Sequence, residues 1–129
     1  PELNRFLLMI NQLFRCEYDP QKYHCVHFVI EAARVLYNKD YSSSFIGLIG
    51  PLNDTVKTSR STVIQNKRLE KPIEGCIVLM TYFNESSHVG LFYRHRIFHL
   101  TEMGVQRITL EQAKPIFKRM RFYEPNLRH

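Results

Sequence analysis

The hydrophobic period of this chain changes near Gly75, and this change limits the folds that the chain can adopt. Before Gly75, apolar residues recur every three or four positions, as they do along one face of an α-helix. After it, short apolar runs alternate with turn-forming residues, which is typical of successive β-strands. Helices followed by hairpin-connected strands predict an α+β domain with an antiparallel sheet.

Two helices are predicted in the first part of the chain. An apolar stripe over residues 2–15 indicates the first helix, and Asp19-Pro20 breaks the pattern behind it. The second helix is predicted from Cys25 to Tyr37, and its apolar residues cover more than one face. Such a helix is expected to be central in the core, with Cys25 in its first turn.

Five strands are predicted in the second part, over residues 77–83, 88–93, 96–101, 104–108 and 119–123. The first of them is almost continuously apolar, as expected of a central strand. Turns are predicted at residues 84–87 and 103–104. Thr109 and Gln112 have the spacing of a capping box, so a short helix is expected to begin there and to end near Pro115.

Residues 39–75 have weak hydrophobic periodicity. Residues 42–44 and 47–51 are typical of loops, and Asn53 is expected to cap a short helix that runs through Ser59. A substrate-facing insertion and a plain surface connection both fit this stretch.

Length and composition indicate the class of protein. A chain of 129 residues suits one domain over residues 1–129, and 44% hydrophobic residues favour a packed core over disorder. No apolar run approaches the length of about 20 residues that a membrane span needs. The first residues lack the basic start and the cleavage site of a signal peptide, which predicts synthesis in the cytoplasm without one.

The chain carries 18 basic and 12 acidic residues, which gives a net charge of +6. This excess favours an anionic partner, such as nucleic acid, an acidic lipid surface or a cell-wall polymer. The basic residues are dispersed, and their small clusters at residues 67–68 and 118–121 do not alternate with aromatic residues as in a nucleic-acid motif. We therefore expect these residues to form a solvated surface and expect no nucleic-acid partner.

Cys25 stands at the predicted start of the second helix, directly after His24. The thiolate is the reactive form of cysteine, and a helix N-terminus stabilises negative charge. A nucleophile therefore benefits from this position, whereas a small buried hydrophobe, the other common role of cysteine, does not need it. The local sequence leaves both roles open.

Two histidines in the predicted strands are candidates for the groups that activate a thiol. His88 begins a strand after Ser87, and Gly90 behind it allows close backbone approach. His88 could take the proton of a thiol that faces it, or it could be a strand-edge residue without function. His99 follows beyond a tight turn, so the two imidazoles can be neighbours in a hairpin. His99 could then orient His88, or it could simply be a residue of the sheet.

His24 and His27 flank Cys25 and invite a metal hypothesis. Because four ligands at a fixed spacing are missing and carboxylates nearby are few, we expect no bound metal. The three cysteines contain no Cys-x-x-Cys pair, which argues against a disulfide framework and a zinc ribbon. Cys76 is predicted to lie in the core, and Cys16 has no predicted role.

Taken together, these residues resemble the NlpC/P60 superfamily of papain-like cysteine peptidases. The run YHCVHFV at residues 23–29 is similar to the family's YDCSGFV, and PIEGCIVL at 72–79 is similar to its PGDLVF. The block SHVGLF at 87–92 nearly repeats SHVGIY, and IFH at 97–99 matches the later FIH. The match runs in order over about residues 14 to 110, and small phage tail-associated members are the most similar in texture.

This resemblance implies a papain-like fold in which the nucleophile helix packs on the antiparallel sheet. It implies that Cys25 is the nucleophile, that His88 is its base and that His99 orients His88. Tyr23 and Ser87 are then expected to bind substrate beside the nucleophile. Such relatives cleave peptide bonds in peptidoglycan stems, usually next to D-γ-glutamyl residues, with no metal or other cofactor.

The resemblance also implies a setting: action at the cell wall or in the periplasm, as part of a virion tail, with phage tail proteins as partners. Two other hypotheses stay open. One is a secreted antibacterial effector or toxin domain of the same fold, which an immunity protein would bind. The other is a tail or adaptor module that has kept the fold and lost catalysis.

Four residues depart from the family pattern. His24 replaces the usual Asp before the nucleophile, Val26-His27 replaces a small Ser-Gly pair, and Cys76 replaces the Asp of Gly-Asp. The bulk of Val26-His27 could narrow the substrate cleft, so the choice of substrate is the property that these changes affect first.

Overall fold

A computed structural model describes residues 2–46, 48–50, 63 and 65–127. Its α-helices are α1 (Glu2–Phe14), α2 (Cys25–Tyr37) and α3 (Leu110–Ala113), and a 3₁₀ helix covers Ser42–Phe45. Its strands are β1 (Lys67–Leu69), β2 (Ile77–Tyr82), β3 (Ser87–Tyr93), β4 (Arg96–Thr101), β5 (Gly104–Ile108) and β6 (Phe117–Glu124).

The strands form one sheet in the order β1-β6-β2-β3-β4-β5, and neighbouring strands pair antiparallel. From β2 to β5 the chain runs as a meander, and β6 returns to pair with the free side of β2. The predicted α+β class with an antiparallel sheet is confirmed. Because β2 lies between β3 and β6, its continuous apolar sequence is that of an inner strand, as predicted.

Apolar side chains cover both faces of the sheet. One buried cluster joins α1 and α2 to the sheet, through residues such as Leu13, Phe28 and Leu91. The other lies on the opposite face, where Phe92 and Phe117 pack with their neighbours. All seven residues of β3 are buried, which explains why this strand does not alternate between apolar and polar residues.

The bounds of α2 follow from its two caps. His24 is the N-cap, and its Nδ1 accepts from the backbone N–H of Val26 at 3.4 Å. His27 completes the capping box, since its Nδ1 accepts from the backbone N–H of His24 at 3.1 Å. At the other end, Asn38 adopts the left-handed conformation with φ 54° and closes the helix. The predicted range Cys25–Tyr37 is confirmed.

The β3–β4 hairpin turns through Arg94 and His95, which both have positive φ, 50° and 67°. Two such residues form the tight turn that matches the twist of a hairpin. The carboxylate of Glu74 holds the turn by accepting from the backbone N–H of Arg94 at 2.9 Å. The paired register runs from Tyr93–Arg96 to Leu91–Phe98, and His88 and His99 lie beyond its last pair.

Some of the other predicted elements are confirmed, and one is wrong. The fourth and fifth observed strands have the predicted bounds, and Thr109 begins α3 through the predicted capping box with Gln112. The prediction of a loop at residues 42–44 was wrong: Asp40 accepts from the backbone N–H of Ser42 at 2.9 Å and a 3₁₀ helix follows. The helix predicted from Asn53 to Ser59 lies outside the described residues.

Four strands differ from the sequence expectation. The strand predicted at 77–83 ends at Tyr82, and the strand predicted at 88–93 begins at Ser87, which was predicted to lie in the turn. The last strand is longer than the predicted 119–123, since it extends from Phe117 to Glu124. The first strand, Lys67–Leu69, was not predicted. None of the helices in the described ranges is long and apolar enough to cross a membrane.

Candidate active site

A cavity of about 420 Å³ opens where α2 begins and where β3 starts. Its lining residues are Tyr18, Cys25, Tyr82, Asn84, Ser86, Ser87, His88, Leu100, Thr101, Glu102 and Met103. Cys25, His88 and Ser87, three of the predicted site residues, therefore lie on one cavity. Its volume is in the usual range for sites that bind small molecules or part of a peptide.

Cys25 is the first residue of α2, and 4% of it is exposed. It packs in the cluster between the helices and the sheet, with its neighbours Phe28 and Val29 on the same helix. The chain's cysteines are thiols, since none of them forms a disulfide. The cavity thus has a thiol at the N-terminal end of a helix, where the helix dipole favours negative charge.

His88 and His99 bind each other. The Nε2 atom of His88 lies 2.9 Å from Nδ1 of His99, and both residues are more than nine-tenths buried. Burial lowers the pKa of both imidazoles, to about 3 for His88, where the neighbouring His99 adds to the effect, and to about 4 for His99. Both rings are therefore neutral near pH 7, and the lowered pKa makes each of them a weaker proton acceptor than a free imidazole.

An aromatic wall surrounds this histidine pair. The ring of Phe117 stacks over His88 at 10° between planes and meets His99 edge-on at 72°. Tyr82 contacts Phe117, with 4.8 Å between ring centroids. These rings keep water from the imidazoles, which is the physical cause of their lowered pKa. Among the described residues, no group hydrogen-bonds Nε2 of His99.

Two phenols and one carboxylate complete the cavity. Burial raises the pKa of Tyr18, and the negative charges of Glu102 and Cys25 raise it further. The pKa of Tyr82 is also raised, by burial first and then by Cys25 and Glu102. Glu102 and Cys25 therefore both raise the pKa of Tyr18 and of Tyr82, and all four residues line the same cavity. Sequence reasoning missed Tyr18, Tyr82 and Glu102, because none of them belongs to a recognised motif.

Tyr23, a predicted substrate-binding residue, is not among the residues that line the cavity. Its hydroxyl donates to Sγ of Cys16 at 3.3 Å, and its ring stacks on His27 with 5.7 Å between centroids. Tyr18 occupies the cavity wall instead. The tight turn between Asp19 and Tyr23 separates the two tyrosines, because each backbone N–H of that pair bonds the other's carbonyl.

Ser87, the other predicted substrate-binding residue, lines the cavity and is 8% exposed. Its Oγ has no hydrogen-bond partner among the described residues. A buried hydroxyl of this kind is available to a bound molecule, since an unmade hydrogen bond is costly.

The two histidines beside Cys25 form contacts that cap the helix. Nε2 of His24 lies 2.8 Å from the carbonyl oxygen of Gly50, and its Nδ1 accepts from Val26, so the neutral ring donates at one nitrogen and accepts at the other. Burial lowers the pKa of His24. Within the described ranges, no group of three or more histidine, cysteine or acidic residues is arranged to hold a metal ion.

Cys76 differs from Cys25 in its surroundings. It is fully buried on the sheet face opposite to α2, and burial raises the pKa of its thiol to about 11. It lies in the core, as predicted, and is a poor nucleophile near neutral pH.

No family model matches this chain, and no curated protein matches it in sequence.

Proposed function

We propose that this chain is a cysteine peptidase or amidase with a papain-like fold of the NlpC/P60 type. Cys25 is the nucleophile, His88 is the general base and acid, and His99 is the residue that orients His88. The observation that carries the proposal is the buried His88–His99 hydrogen bond at the wall of the cavity that Cys25 also lines.

The hydrogen bond between the imidazoles supports different proposed roles for them. When Nε2–H of His88 donates to Nδ1 of His99, the Nδ1 atom of His88 carries no proton. This nitrogen can then take the thiol proton of Cys25 as the sulfur attacks a carbonyl carbon. His99 fixes both the tautomer and the orientation of the ring, as the third member of a triad does.

The proposed reaction has two stages. In the first, Sγ of Cys25 bonds to the amide carbon, the backbone N–H of Cys25 stabilises the oxyanion, and His88 returns its proton to the leaving nitrogen as the C–N bond breaks. In the second, His88 takes a proton from water, which attacks the thioester. The C–S bond breaks, the thiol is re-protonated and a carboxylic acid is released.

For the substrate we propose a peptide of the peptidoglycan stem, cleaved at the cell wall. The net charge of +6 supports this, because it attracts an anionic wall polymer. The proposed setting in a phage or prophage tail, with tail proteins as partners, depends on the sequence resemblance alone.

The test is the rate of alkylation of each cysteine with iodoacetamide from pH 5 to pH 9, followed by peptide mass spectrometry. This experiment does not require the substrate to be known. We expect Cys25 to react faster than Cys16 and Cys76 below pH 7, and we expect His88→Ala to remove this advantage. Cys76 is the internal control, because it is fully buried away from the cavity.

Digests of purified wall peptide then test the reaction itself. Cleavage by the parent and none by Cys25→Ala, with unchanged thermal unfolding, would support the proposal. If Cys25 has no reactive advantage and no digest is cleaved, the module is non-catalytic and acts by binding. If cleavage is seen with another amide substrate and not with wall peptide, the effector hypothesis replaces the cell-wall one.

A further inference from the structure

The cavity is lined by a carboxylate that has no basic partner among the described residues. Glu102 is the one carboxylate among the described residues that line it. The chain as a whole is basic, with 18 basic and 12 acidic residues. None of the ion pairs between described residues involves Glu102.

Backbone contacts order the turn that carries this exposed carboxylate. Glu102 lies in the turn between β4 and β5, where Oγ1 of Thr101 accepts from the backbone N–H of Met103 at 3.1 Å. The same hydroxyl donates to the carbonyl of Gly104 at 3.0 Å. The turn is therefore ordered, and it contributes three consecutive residues, Thr101 to Met103, to the lining of the cavity.

Two aromatic residues share this part of the cavity with the carboxylate. Tyr18 and Tyr82 both line the cavity, and both phenols respond to the charge of Glu102 and to that of Cys25. An aromatic face attracts a cation, and a carboxylate attracts it more strongly. Aromatic rings combined with an acidic group are a chemistry that selects ammonium ions.

We propose that Glu102, together with the rings of Tyr18 and Tyr82, forms a subsite for a positively charged group of the substrate, an ammonium close to the bond that Cys25 attacks. The inference deepens the proposed function, because it names a property of the substrate of that same site. A substrate with a carboxylate in this position is disfavoured by repulsion from Glu102.

The test compares two thiol reagents of similar size and opposite charge at Cys25. One is 2-(trimethylammonio)ethyl methanethiosulfonate and the other is 2-sulfonatoethyl methanethiosulfonate. Each rate, followed by mass spectrometry of the Cys25 peptide, is divided by the rate of the same reagent with 2-mercaptoethanol. The net charge of +6 alone would make the anionic reagent react faster. A cation subsite at Glu102 would make the cationic reagent react faster, so the experiment separates the two effects.

We expect the normalised rate of the cation to exceed that of the anion by about tenfold at low salt, and the ratio to fall as ionic strength rises. Glu102→Gln should lower the ratio about threefold or more. Glu111→Gln is the matched control, because that exposed glutamate of α3 pairs with Lys114 and does not line the cavity. It should leave the ratio unchanged.

A second pair of variants tests the aromatic part of the subsite. Tyr18→Phe keeps the ring and should keep the preference for the cation, whereas Tyr18→Leu should reduce it. A parent ratio below one, or a ratio that Glu102→Gln does not change, overturns the inference.

The two proposals fail separately. A clear preference for the cation in a protein that hydrolyses no amide leaves the cation subsite standing and removes the peptidase. Hydrolysis of an amide without any preference for the cation leaves the peptidase standing and removes the cation subsite.

Discussion

Nε2 of His88 lies 2.9 Å from Nδ1 of His99, and the bond joins two neighbouring strands beyond the last pair of their paired register. Both rings are buried, so the bond is protected from competition by water. This one contact fixes the orientation of the His88 imidazole at the wall of the cavity that Cys25 lines.

Replacing His99 should separate its orienting role from its packing role. His99→Ala removes the acceptor of His88 Nε2–H and should lower kcat/KM about 100-fold, the usual scale for groups that orient a catalytic residue. His99→Asn places an amide oxygen near the Nδ1 position and removes the buried Nε2 atom, so it should retain activity within about tenfold of the parent.

The rate of Cys25 alkylation is also measured as a function of pH in both variants. A purely structural role of His99 would not lower this rate in His99→Ala and retain it in His99→Asn. Thermal unfolding of each variant checks that the fold is intact. Equal losses in the alanine and asparagine variants would mean that the hydrogen bond does not orient His88.

The cap of α2 should contribute measurably to stability. His24→Ala removes the acceptor for the Val26 N–H and the donor to the Gly50 carbonyl, and should lower the free energy of unfolding by about 2 kcal/mol. His24→Asn keeps a capping acceptor and should cost about half as much. His27→Ala, which removes a single acceptor, is the matched comparison.

Urea unfolding monitored by circular dichroism measures these differences. If His24→Ala is as stable as the parent, the ring is not an essential cap. If His27→Ala costs more than His24→Ala, the stabilisation comes mainly from the stacking of His27 on Tyr23.

Local sequence was sufficient for some elements of the fold. The bounds of α2 were predictable because both of its ends carry local signals, a polar residue before Cys25 and Asn38 behind Tyr37. The strand Lys67–Leu69 was not predictable, because it is short and mostly exposed. It is a strand only because it pairs with the distant strand β6.

Some contacts of the candidate site could be predicted from local sequence, and others could not. The neighbourhood of His88 and His99 follows from a tight hairpin, which local sequence predicts. The stacking of Phe117 on His88 does not, because β6 reaches β2 only after a crossover outside the meander. Tyr23 is closer than Tyr18 to Cys25 in sequence, yet it is Tyr18 that lines the cavity.

Gly90 allows β3 and β4 to approach beside His88. A Cβ added there would lie 2.7 Å from Cγ2 of Ile97 and 2.9 Å from the backbone oxygen of Phe98, which is too close for either. Gly90→Ala should therefore lower the free energy of unfolding by about 2 kcal/mol and disturb the histidine pair. Gly50→Ala is the control, because no atom of the described residues lies within 4 Å of its added Cβ.

Urea unfolding and the rate of Cys25 alkylation should both report the change in Gly90→Ala. A Gly90→Ala protein with the stability and reactivity of the parent would mean that the strands can separate at no cost.

Acid should destabilise the fold through its buried histidines. Burial lowers the pKa of His88, His99 and His24 below the ordinary value near 6.5, so the folded protein binds fewer protons than the unfolded chain. The stability that neutral rings provide is complete above about pH 6.5 and is lost as pH falls below it.

Between pH 7 and pH 5 each imidazole of the His88–His99 pair should contribute a loss of about 2 kcal/mol in the free energy of unfolding, before most carboxylates titrate. Urea unfolding at half-unit steps of pH measures the slope. In the double variant His88→Gln, His99→Asn the slope should flatten, because two groups that take up protons on unfolding are gone. A slope that is the same in parent and double variant would mean that this pair is not kept neutral by the fold.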